Sequence, residues 1–430
     1  MTKVLVPPFR QPSDAPAGTS DLPQIILVFS SAATAEYRVA GIPAAARAAH
    51  AIAAIAEQDD IRRCSIVVDD AWIPSDALLT ECRRLAPHLR LAFAAAPSND
   101  EMLTVRGETF VAALARRQGD PWRENVLPAL FDACIKDRVS VASASLSQDA
   151  ALKQLRRASR DVLAATGKGG DGIVSRYINR PISRAISHQL LRSAAVTPFH
   201  ASIGTALLGV AMAFALFLGD GTGLIVGALL FQAASIFDGV DGEIARATYR
   251  TSELGATLDS VIDAFTNLAF ITGVTVNVAM AGDVTSAVAG GIALVTLAAG
   301  LLLIGRHASA MGEAMNFDVV KRQLRNGRRT SRLTEFFIHL TMRDFFAAAC
   351  ALMIVAGLTD ILLIAFAVIA LGWFLVTALV LSRLKRTPFR RDQATPGAMT
   401  TVPSPRRAEP CALTPASLAF PQIGTAMRRD

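Results

Sequence analysis

Little in this sequence points to a secreted, disulfide-stabilised or zinc-binding protein. It has only five cysteines in 430 residues, and their positions match no zinc-ligand spacing and suggest no disulfide framework. The first 20 residues are rich in proline and lack the apolar stretch of a signal peptide. We therefore expect reduced thiols and a first domain that stays in the cytoplasm.

Apolar residues, by contrast, are abundant. They make up 52% of the chain and are concentrated from about residue 200 to residue 382. Several of these runs are shorter than the about 20 residues that cross a bilayer as a helix. We predict an α-helical polytopic membrane domain over residues 201–386, with six transmembrane helices at 201–219, 224–239, 255–279, 285–304, 344–357 and 361–381.

Arginine and lysine are distributed unevenly around these spans. The predicted outer loops, 220–223, 281–284 and 358–360, contain neither residue. The predicted inner segments contain many, namely Arg246, Arg250, Arg306, Lys321, Arg322, Arg325, Arg328, Arg329, Arg332, Arg343, Arg383, Lys385, Arg386, Arg390 and Arg391. Positively charged loops stay inside, so we predict an integral protein of the cytoplasmic membrane with both termini in the cytoplasm. The run from Arg322 to Arg332 either serves this topology alone or also binds lipid headgroups or an anionic substrate.

The part of the chain before the membrane domain alternates short apolar runs with helical patterns. Strands are predicted at 25–29, 65–68, 89–94 and 102–105, and helices at 44–57 and 75–85. Alternation of this kind is typical of a parallel α/β sheet. We therefore predict a cytoplasmic α/β domain over residues 23–166, after a flexible lead of residues 1–22.

A linker and a basic amphipathic helix are predicted over residues 167–200. Residues 167–172 contain G-x-G-x-x-G, but no strand precedes them, which favours a linker over a dinucleotide site. Arginines then recur at helical spacing at positions 176, 180, 184 and 192, and Pro181 fits the first turn. The helix is predicted to lie in the membrane interface, with an ordinary amphipathic core helix as the alternative. The tail, residues 387–430, is predicted to be disordered.

Four aspartates lie in the second and third spans or directly after the second. Asp238 and Asp241 are three residues apart, and Asp259 and Asp263 are four apart, so each pair lies on one face of its helix. Each carboxylate within a membrane costs about 2.5–3.5 kcal/mol, which disfavours a purely structural role. Such a cluster without lysines needs a cation, and hard oxygen ligands favour Mg²⁺ or Mn²⁺. We predict a metal site at the cytoplasmic side.

The residues around these aspartates fit a phosphate-bearing ligand. Arg246 offers a planar donor to a phosphate or nucleotide. Gly242 and Gly255 allow close helix approach and leave room for a bulky ligand, and Ala245 adds little bulk.

The spacing D-x-x-D-G-x-x-A-R-x8-G-x3-D-x3-D, from Asp238 to Asp263, resembles the signature of the CDP-alcohol phosphotransferase family at every fixed position. The resemblance covers roughly residues 170–386. It implies six membrane helices, a homodimer and a divalent metal. By residue, it implies metal ligation by Asp238, Asp241, Asp259 and Asp263, a general base at Asp263, and a CDP pocket lined by Gly242, Ala245, Arg246 and Gly255.

A second resemblance lies upstream. Residues 168–183 are similar to the junction in archaeal-type bifunctional enzymes that join an inositol-1-phosphate cytidylyltransferase to a di-myo-inositol phosphate phosphate synthase. The α/β domain then resembles a nucleotidyltransferase. Residues 30–38 nevertheless contain no glycine where such an enzyme has a phosphate-binding loop, so we predict an inactive domain. Residues 197–200 read Thr-Pro-Phe-His, where relatives often have Thr-Pro-Asn.

The implied reaction transfers a phosphoalcohol group from a CDP-alcohol donor to an acceptor alcohol and releases CMP. The donor is either a lipid of the CDP-diacylglycerol type or a soluble CDP-alcohol such as CDP-inositol. Membrane lipids are expected partners, and nucleic acid is not. Two alternatives stay open: a bifunctional enzyme whose α/β domain makes the CDP-alcohol, and a cation transporter that uses the acids as its path.

Overall fold

The computed structural model describes residues 24–59, 63–68, 72–95, 103–117, 147–167, 171–311 and 342–384. The predicted lead (1–22), the predicted tail (387–430) and the basic run 322–332 lie outside these ranges. Predictions about those segments remain predictions.

The amino-terminal region is a parallel α/β sheet, as the alternating pattern predicted. Its strands are β1 (Gln24–Phe29), β4 (Arg63–Val68), β5 (Arg90–Ala95) and β6 (Leu103–Arg106), in the order β5-β4-β1-β6. A short hairpin is formed by β2 (Arg38–Val39) and β3 (Ile42–Pro43). The helices are α1 (Ala32–Glu36), α2 (Ala44–Asp59), α3 (Asp76–Leu85) and α4 (Gly107–Arg117).

Short apolar runs fold as strands here because both faces of the sheet are covered. Leu27 of β1 aligns with Ile66 of β4 and with Val105 of β6, and all three side chains are fully buried. Gly107 begins α4 against Phe29, whose ring would lie 2.3 Å from any added Cβ. Continuous burial of this kind is expected for a parallel sheet covered by helices.

The described cysteines are free and buried, as expected for reduced thiols. They are Cys64, Cys82 and Cys350. Burial raises the pKa of the Cys82 thiol to about 12, so this thiol stays protonated and unreactive at neutral pH.

The segment between the sheet and the apolar helices is helical. Helix α5 (Gln148–Ala165) is followed by a π-helical turn (Ser175–Asn179) and by α6 (Arg180–Leu190), which has Pro181 in its first turn as predicted. Tyr177, Ile178 and Ile182 are exposed here, which supports the predicted interfacial position.

Among the residues that the structure describes, five helices are long and apolar enough to cross a membrane. They are α7 (Pro198–Phe217), α8 (Gly221–Ala247), α9 (Glu253–Met280), α10 (Val284–Met311) and α12 (Thr359–Leu384). At the fifth of the six predicted spans lies α11 (Arg343–Val355), whose 13 residues correspond to a length of about 20 Å. The structure therefore has a helix long and apolar enough to cross a membrane at five of the six predicted spans, and α11 as a full span remains a prediction.

The apolar helices pack through aromatic rings and small residues. The rings of Phe231 on α8 and Phe270 on α9 stack with centroids 4.1 Å apart. Gly227 and Gly273 both face Leu216 of α7. A Cβ added to either glycine would lie less than 3 Å from the Leu216 side chain. Close approach of this kind is common where membrane helices meet, and here it packs α7 closely against both α8 and α9.

Candidate active site

Helix α8 carries the first half of the motif without a break. The apolar pattern predicts a span that ends at residue 239, but α8 continues to Ala247. Asp238, Asp241 and Arg246 therefore lie on one continuous helix. Helix α9 follows after five residues, 248–252, and Ser252 caps it by accepting a hydrogen bond from the Gly255 amide at 3.0 Å.

Three of the four predicted metal ligands come together. Asp238 of α8 and Asp259 and Asp263 of α9 each offer a carboxylate oxygen, and these oxygens lie within 4.8 Å of one another. All three residues are half-buried. We call these residues the aspartate cluster.

Asp241, the fourth predicted ligand, has a different partner. Its side chain is buried, and its Oδ2 accepts a hydrogen bond of 2.7 Å from the hydroxyl of Ser202 on α7. Three residues on an α-helix turn through about 300°, so Asp241 points about 60° away from Asp238 around the axis. The structure thus places Asp241 beside the aspartate cluster and holds it with Ser202.

An arginine contacts the aspartate cluster. Nη1 of Arg343 lies 3.0 Å from Oδ1 of Asp238 and also pairs with Oδ1 of Asp263. The sequence pattern did not predict this contact, because Arg343 lies in a basic segment that accounts for it as an inner, topology-setting charge. The next residue, Asp344, accepts hydrogen bonds from Asn179 (3.0 Å) and Ser235 (3.1 Å), which fix the start of α11.

The aspartate cluster fits a divalent cation such as Mg²⁺ or Mn²⁺. Its donors are carboxylate oxygens, the hard ligands that these ions prefer. The three oxygens lie within 4.8 Å of one another, so that all three can face one such ion. The guanidinium of Arg343 already places positive charge between Asp238 and Asp263.

The predicted nucleotide-side residues follow the cluster along α8. Nε of Arg246 donates to the Thr166 carbonyl at 2.8 Å, at the carboxyl end of α5. An added Cβ on Gly242 would lie 2.9 Å from Nη1 of Arg246, so glycine leaves space for that guanidinium. Ala245 is half-buried one residue before Arg246, whereas Gly255 is exposed in the first turn of α9.

Glu243 forms a second polar centre that the sequence analysis missed. It is fully buried, and its carboxylate accepts hydrogen bonds from Arg180 (3.1 Å), Ser183 (2.7 Å) and Ser187 (2.7 Å) of α6. Arg180 also pairs with Asp171 at 2.8 Å. The sequence signal for this contact was the pair Ser183 and Ser187, four residues apart, after the basic residue Arg180. This network fixes α6 against α8.

The structure also explains the sequence Thr-Pro-Phe-His at residues 197–200, which differs from the Thr-Pro-Asn expected from the family resemblance. Nδ1 of His200 lies 2.7 Å from the Thr197 hydroxyl, in a capping box at the start of α7. Phe199, at the position where the family resemblance leads us to expect asparagine, is exposed. The substitution therefore leaves the helix start intact.

The motif from Asp238 to Asp263 lies in a segment of the chain that matches a known protein family. Residues 197–323 match the family described as CDP-alcohol phosphatidyltransferase, which confirms the resemblance over this segment. Proteins named "Bifunctional IPC transferase and DIPP synthase" are also similar to the chain. The one from Thermococcus kodakarensis is 39% identical over 120 residues, 28% of this chain and 26% of that protein. The one from Aquifex aeolicus is 34% identical over 132 residues, 30% and 29% of the two chains.

A further relative of the same name, from Archaeoglobus fulgidus, is 39% identical over 120 residues, 28% of this chain and 23% of that protein. The chain therefore spans less than a third of the length of these three curated relatives. The described part of the chain thus combines five helices that are long and apolar enough to cross a membrane with a segment that matches this family.

Proposed function

We propose, from the family match of residues 197–323, that this chain is a metal-dependent CDP-alcohol phosphotransferase. It transfers a phosphoalcohol group from a CDP-alcohol to an acceptor alcohol and releases CMP. The observation that carries the proposal is the convergence of Asp238, Asp259 and Asp263 within that segment.

The aspartate cluster would hold Mg²⁺ or Mn²⁺, with Asp241 as the fourth ligand in the family pattern. When bound, such an ion neutralises the diphosphate and stabilises the charge that develops on the leaving CMP. Ser202 orients Asp241 through its 2.7 Å hydrogen bond, and ordered second partners of this kind are typical of metal ligands.

Asp263 would act as general base. Its carboxylate takes the proton of the acceptor hydroxyl, and the acceptor oxygen attacks the phosphorus that carries the donor alcohol. The bond from this phosphorus to the bridging oxygen breaks, and CMP leaves with that oxygen. The product is a phosphodiester of the two alcohols.

The nucleotide side of the site would be formed by Gly242, Ala245, Arg246 and Gly255. The bond from Nε of Arg246 to the Thr166 carbonyl fixes its guanidinium plane. The remaining donors of that plane can meet a phosphate in two-point geometry.

The substrate class is proposed from similarity to the relatives. The junction at residues 168–183, which resembles that of the bifunctional inositol enzymes, favours an inositol-phosphate type of group on the donor or acceptor, in line with the relatives named as IPC transferases and DIPP synthases. We further propose a homodimer in the cytoplasmic membrane, with both termini and the aspartate cluster on the cytoplasmic side.

A screen of donors and acceptors tests this function. Purified protein in detergent with Mg²⁺ or Mn²⁺ is given CDP-diacylglycerol or CDP-inositol, together with glycerol phosphate, inositol or inositol phosphate, and CMP is measured. We expect CMP release that depends on an acceptor and stops when EDTA removes the metal. No CMP with any pair, together with cation flux in liposomes, would favour the transporter alternative.

We also propose that the α/β domain is inactive as a nucleotidyltransferase. In doubly wound sheets the ligand binds at the carboxyl ends of the strands, where the strand order reverses, here between β1 and β6. The fully buried Glu108 occupies this place and accepts a hydrogen bond of 2.7 Å from the Ser30 amide. A buried carboxylate there repels the phosphates of CTP.

We therefore expect no pyrophosphate from CTP and an alcohol phosphate such as inositol phosphate. A coupled pyrophosphate assay on a preparation that releases CMP from a CDP-alcohol and unfolds cooperatively on heating checks this expectation, since these two readouts exclude an inactive or unfolded preparation. Pyrophosphate release that requires the alcohol phosphate would instead support the bifunctional alternative.

A further inference from the structure

The connection between α8 and α9 determines how the aspartate cluster is assembled. Residues 248–252, which we call the α8–α9 corner, join the helix that carries Asp238 to the helix that carries Asp259 and Asp263. Asp238 lies nine residues, about 14 Å, before the end of α8. A change in the corner would therefore move one side of the cluster relative to the other.

Arginines of the α/β domain hold this corner. Arg47 of α2, only 1% exposed, donates through Nη2 to the carbonyls of Ala247 (2.7 Å) and Val39 (3.0 Å). Its Nη1 lies 3.1 Å from the Tyr249 hydroxyl. One guanidinium thus joins the sheet region, the end of α8 and the corner.

A second arginine contacts the same backbone. Arg84 of α3 donates through Nη2 to the Thr248 carbonyl (2.8 Å) and through Nη1 to the Tyr249 carbonyl (3.2 Å). Across the same interface, Arg250 pairs with Glu81 of α3 at 2.7 Å. All of these charged contacts come from the α/β domain.

The chemistry of a helix end explains these contacts. The last carbonyls of a helix lack partners within it, and the helix dipole places partial negative charge there. The guanidinium groups of Arg47 and Arg84 supply both hydrogen bonds and positive charge at this end of α8. They satisfy carbonyls that the helix itself leaves open.

Tyr249 shows that the corner has a defined conformation. Its φ of +53° lies in the left-handed region, where helices usually end with glycine or asparagine. The Tyr249 ring contacts the His50 ring (4.6 Å between centroids) and lies under the Arg47 guanidinium (5.2 Å). The side chain is therefore anchored in the α/β domain, and that anchoring favours the unusual backbone conformation.

The hydrophobic core supports the same connection. Val240, Ile244 and Ala247 of α8 belong to one buried cluster with the sheet and with α2. The carboxyl-terminal end of α8 thus packs as a part of the α/β domain.

We propose that Arg47 is a positioning residue for the aspartate cluster. Through Ala247 and Tyr249 it fixes the α8–α9 corner and thereby sets the position of Asp238 relative to Asp259 and Asp263. The α/β domain then serves the transferase as a scaffold. This inference rests on the proposed function of the cluster.

The test measures metal binding apart from turnover. We titrate four purified proteins with Mn²⁺, namely the wild type, Arg47→Gln, Arg47→Lys and Arg84→Gln, and measure free Mn²⁺ by electron paramagnetic resonance. The rate of CMP release by each protein gives kcat and KM. We expect Arg47→Gln to weaken Mn²⁺ binding about tenfold and to lower kcat with little change in the donor KM. Arg47→Lys, which keeps the charge and one donor, should recover part of both losses.

The matched control is Arg116→Gln, which removes an exposed arginine of α4 whose described bond is to the Ala112 carbonyl of its own helix. It should bind Mn²⁺ like the wild type. If Arg47→Gln does not fold, Arg84→Gln decides, because the Arg84 side chain is 30% exposed and reaches the same corner.

Folded variants of Arg47 or Arg84 with wild-type Mn²⁺ affinity and kcat would overturn the positioning role and leave the proposed function intact. Wild-type protein that neither binds Mn²⁺ nor releases CMP would overturn the proposed function, and this inference with it.

Discussion

Replacement of Asp263 by asparagine is expected to reduce CMP release by about a thousandfold, within the range of general acid–base effects, without unfolding the protein. The amide keeps the size of the carboxyl group but cannot accept the proton of the acceptor hydroxyl. It is also a weaker ligand for Mg²⁺ or Mn²⁺. Initial rates of CMP release at saturating metal, together with thermal unfolding of both proteins, measure the effect.

Asp283→Asn is the matched control for this experiment. Asp283 lies just before α10, outside the aspartate cluster, and accepts a hydrogen bond of 3.1 Å from the Ser286 amide. Asparagine can accept the same bond, so this variant should retain wild-type turnover. Near-normal turnover of Asp263→Asn would remove Asp263 from the role of base and direct attention to the other carboxylates.

The elements of the α/β domain could be predicted from local patterns. The four strands and the helices α2 and α3 were predicted to within two residues of their observed ends. Each strand is a short apolar run in a sheet buried on both faces, so the ends of the apolar run in the sequence indicate the ends of the strand. The strand order β5-β4-β1-β6 was not predicted, because it depends on contacts between distant segments.

Hydropathy located the apolar spans but not the ends of the helices. The prediction for the second span stopped at residue 239, eight residues before α8 ends. Hydropathy indicates where the apolar surroundings of a helix end. The helix itself continues as long as its residues favour the helical backbone conformation. Glu243, Ala245 and Arg246 are good helix formers, and the α/β domain provides partners for the helix end at Ala247.

Part of the candidate site followed from spacing alone, and part did not. The motif spacing correctly predicted that Asp238, Asp259 and Asp263 meet. It did not predict that Asp241 would bond to Ser202, since that depends on how α7 packs. The partner of Asp263 lies 80 residues away at Arg343, and a periodic pattern carries no information at that range.

The contact between Arg343 and the aspartate cluster leads to a second large expected effect. A divalent cation at the cluster would compete with the guanidinium of Arg343 for the carboxylates of Asp238 and Asp263, because Arg343 already pairs with one oxygen of each. Loss of this competitor in Arg343→Gln should tighten Mn²⁺ binding by at least about tenfold, which corresponds to about 1.4 kcal/mol. Charge-assisted hydrogen bonds of about 1.5–3 kcal/mol each are consistent with that size.

An equilibrium titration of detergent-solubilised protein with Mn²⁺ measures this change, with Arg306→Gln as the control. Arg306 is an exposed arginine of α10, so its loss removes the same charge without freeing a carboxylate of the cluster. If both variants bind Mn²⁺ equally well, net charge accounts for the result and Arg343 is not a competitor. If Arg343→Gln binds Mn²⁺ more tightly and Arg306→Gln does not, Arg343 balances the negative charge of the carboxylates within the apolar helices until a metal ion replaces it. Such compensation lowers the cost of burying three acids in an apolar bundle.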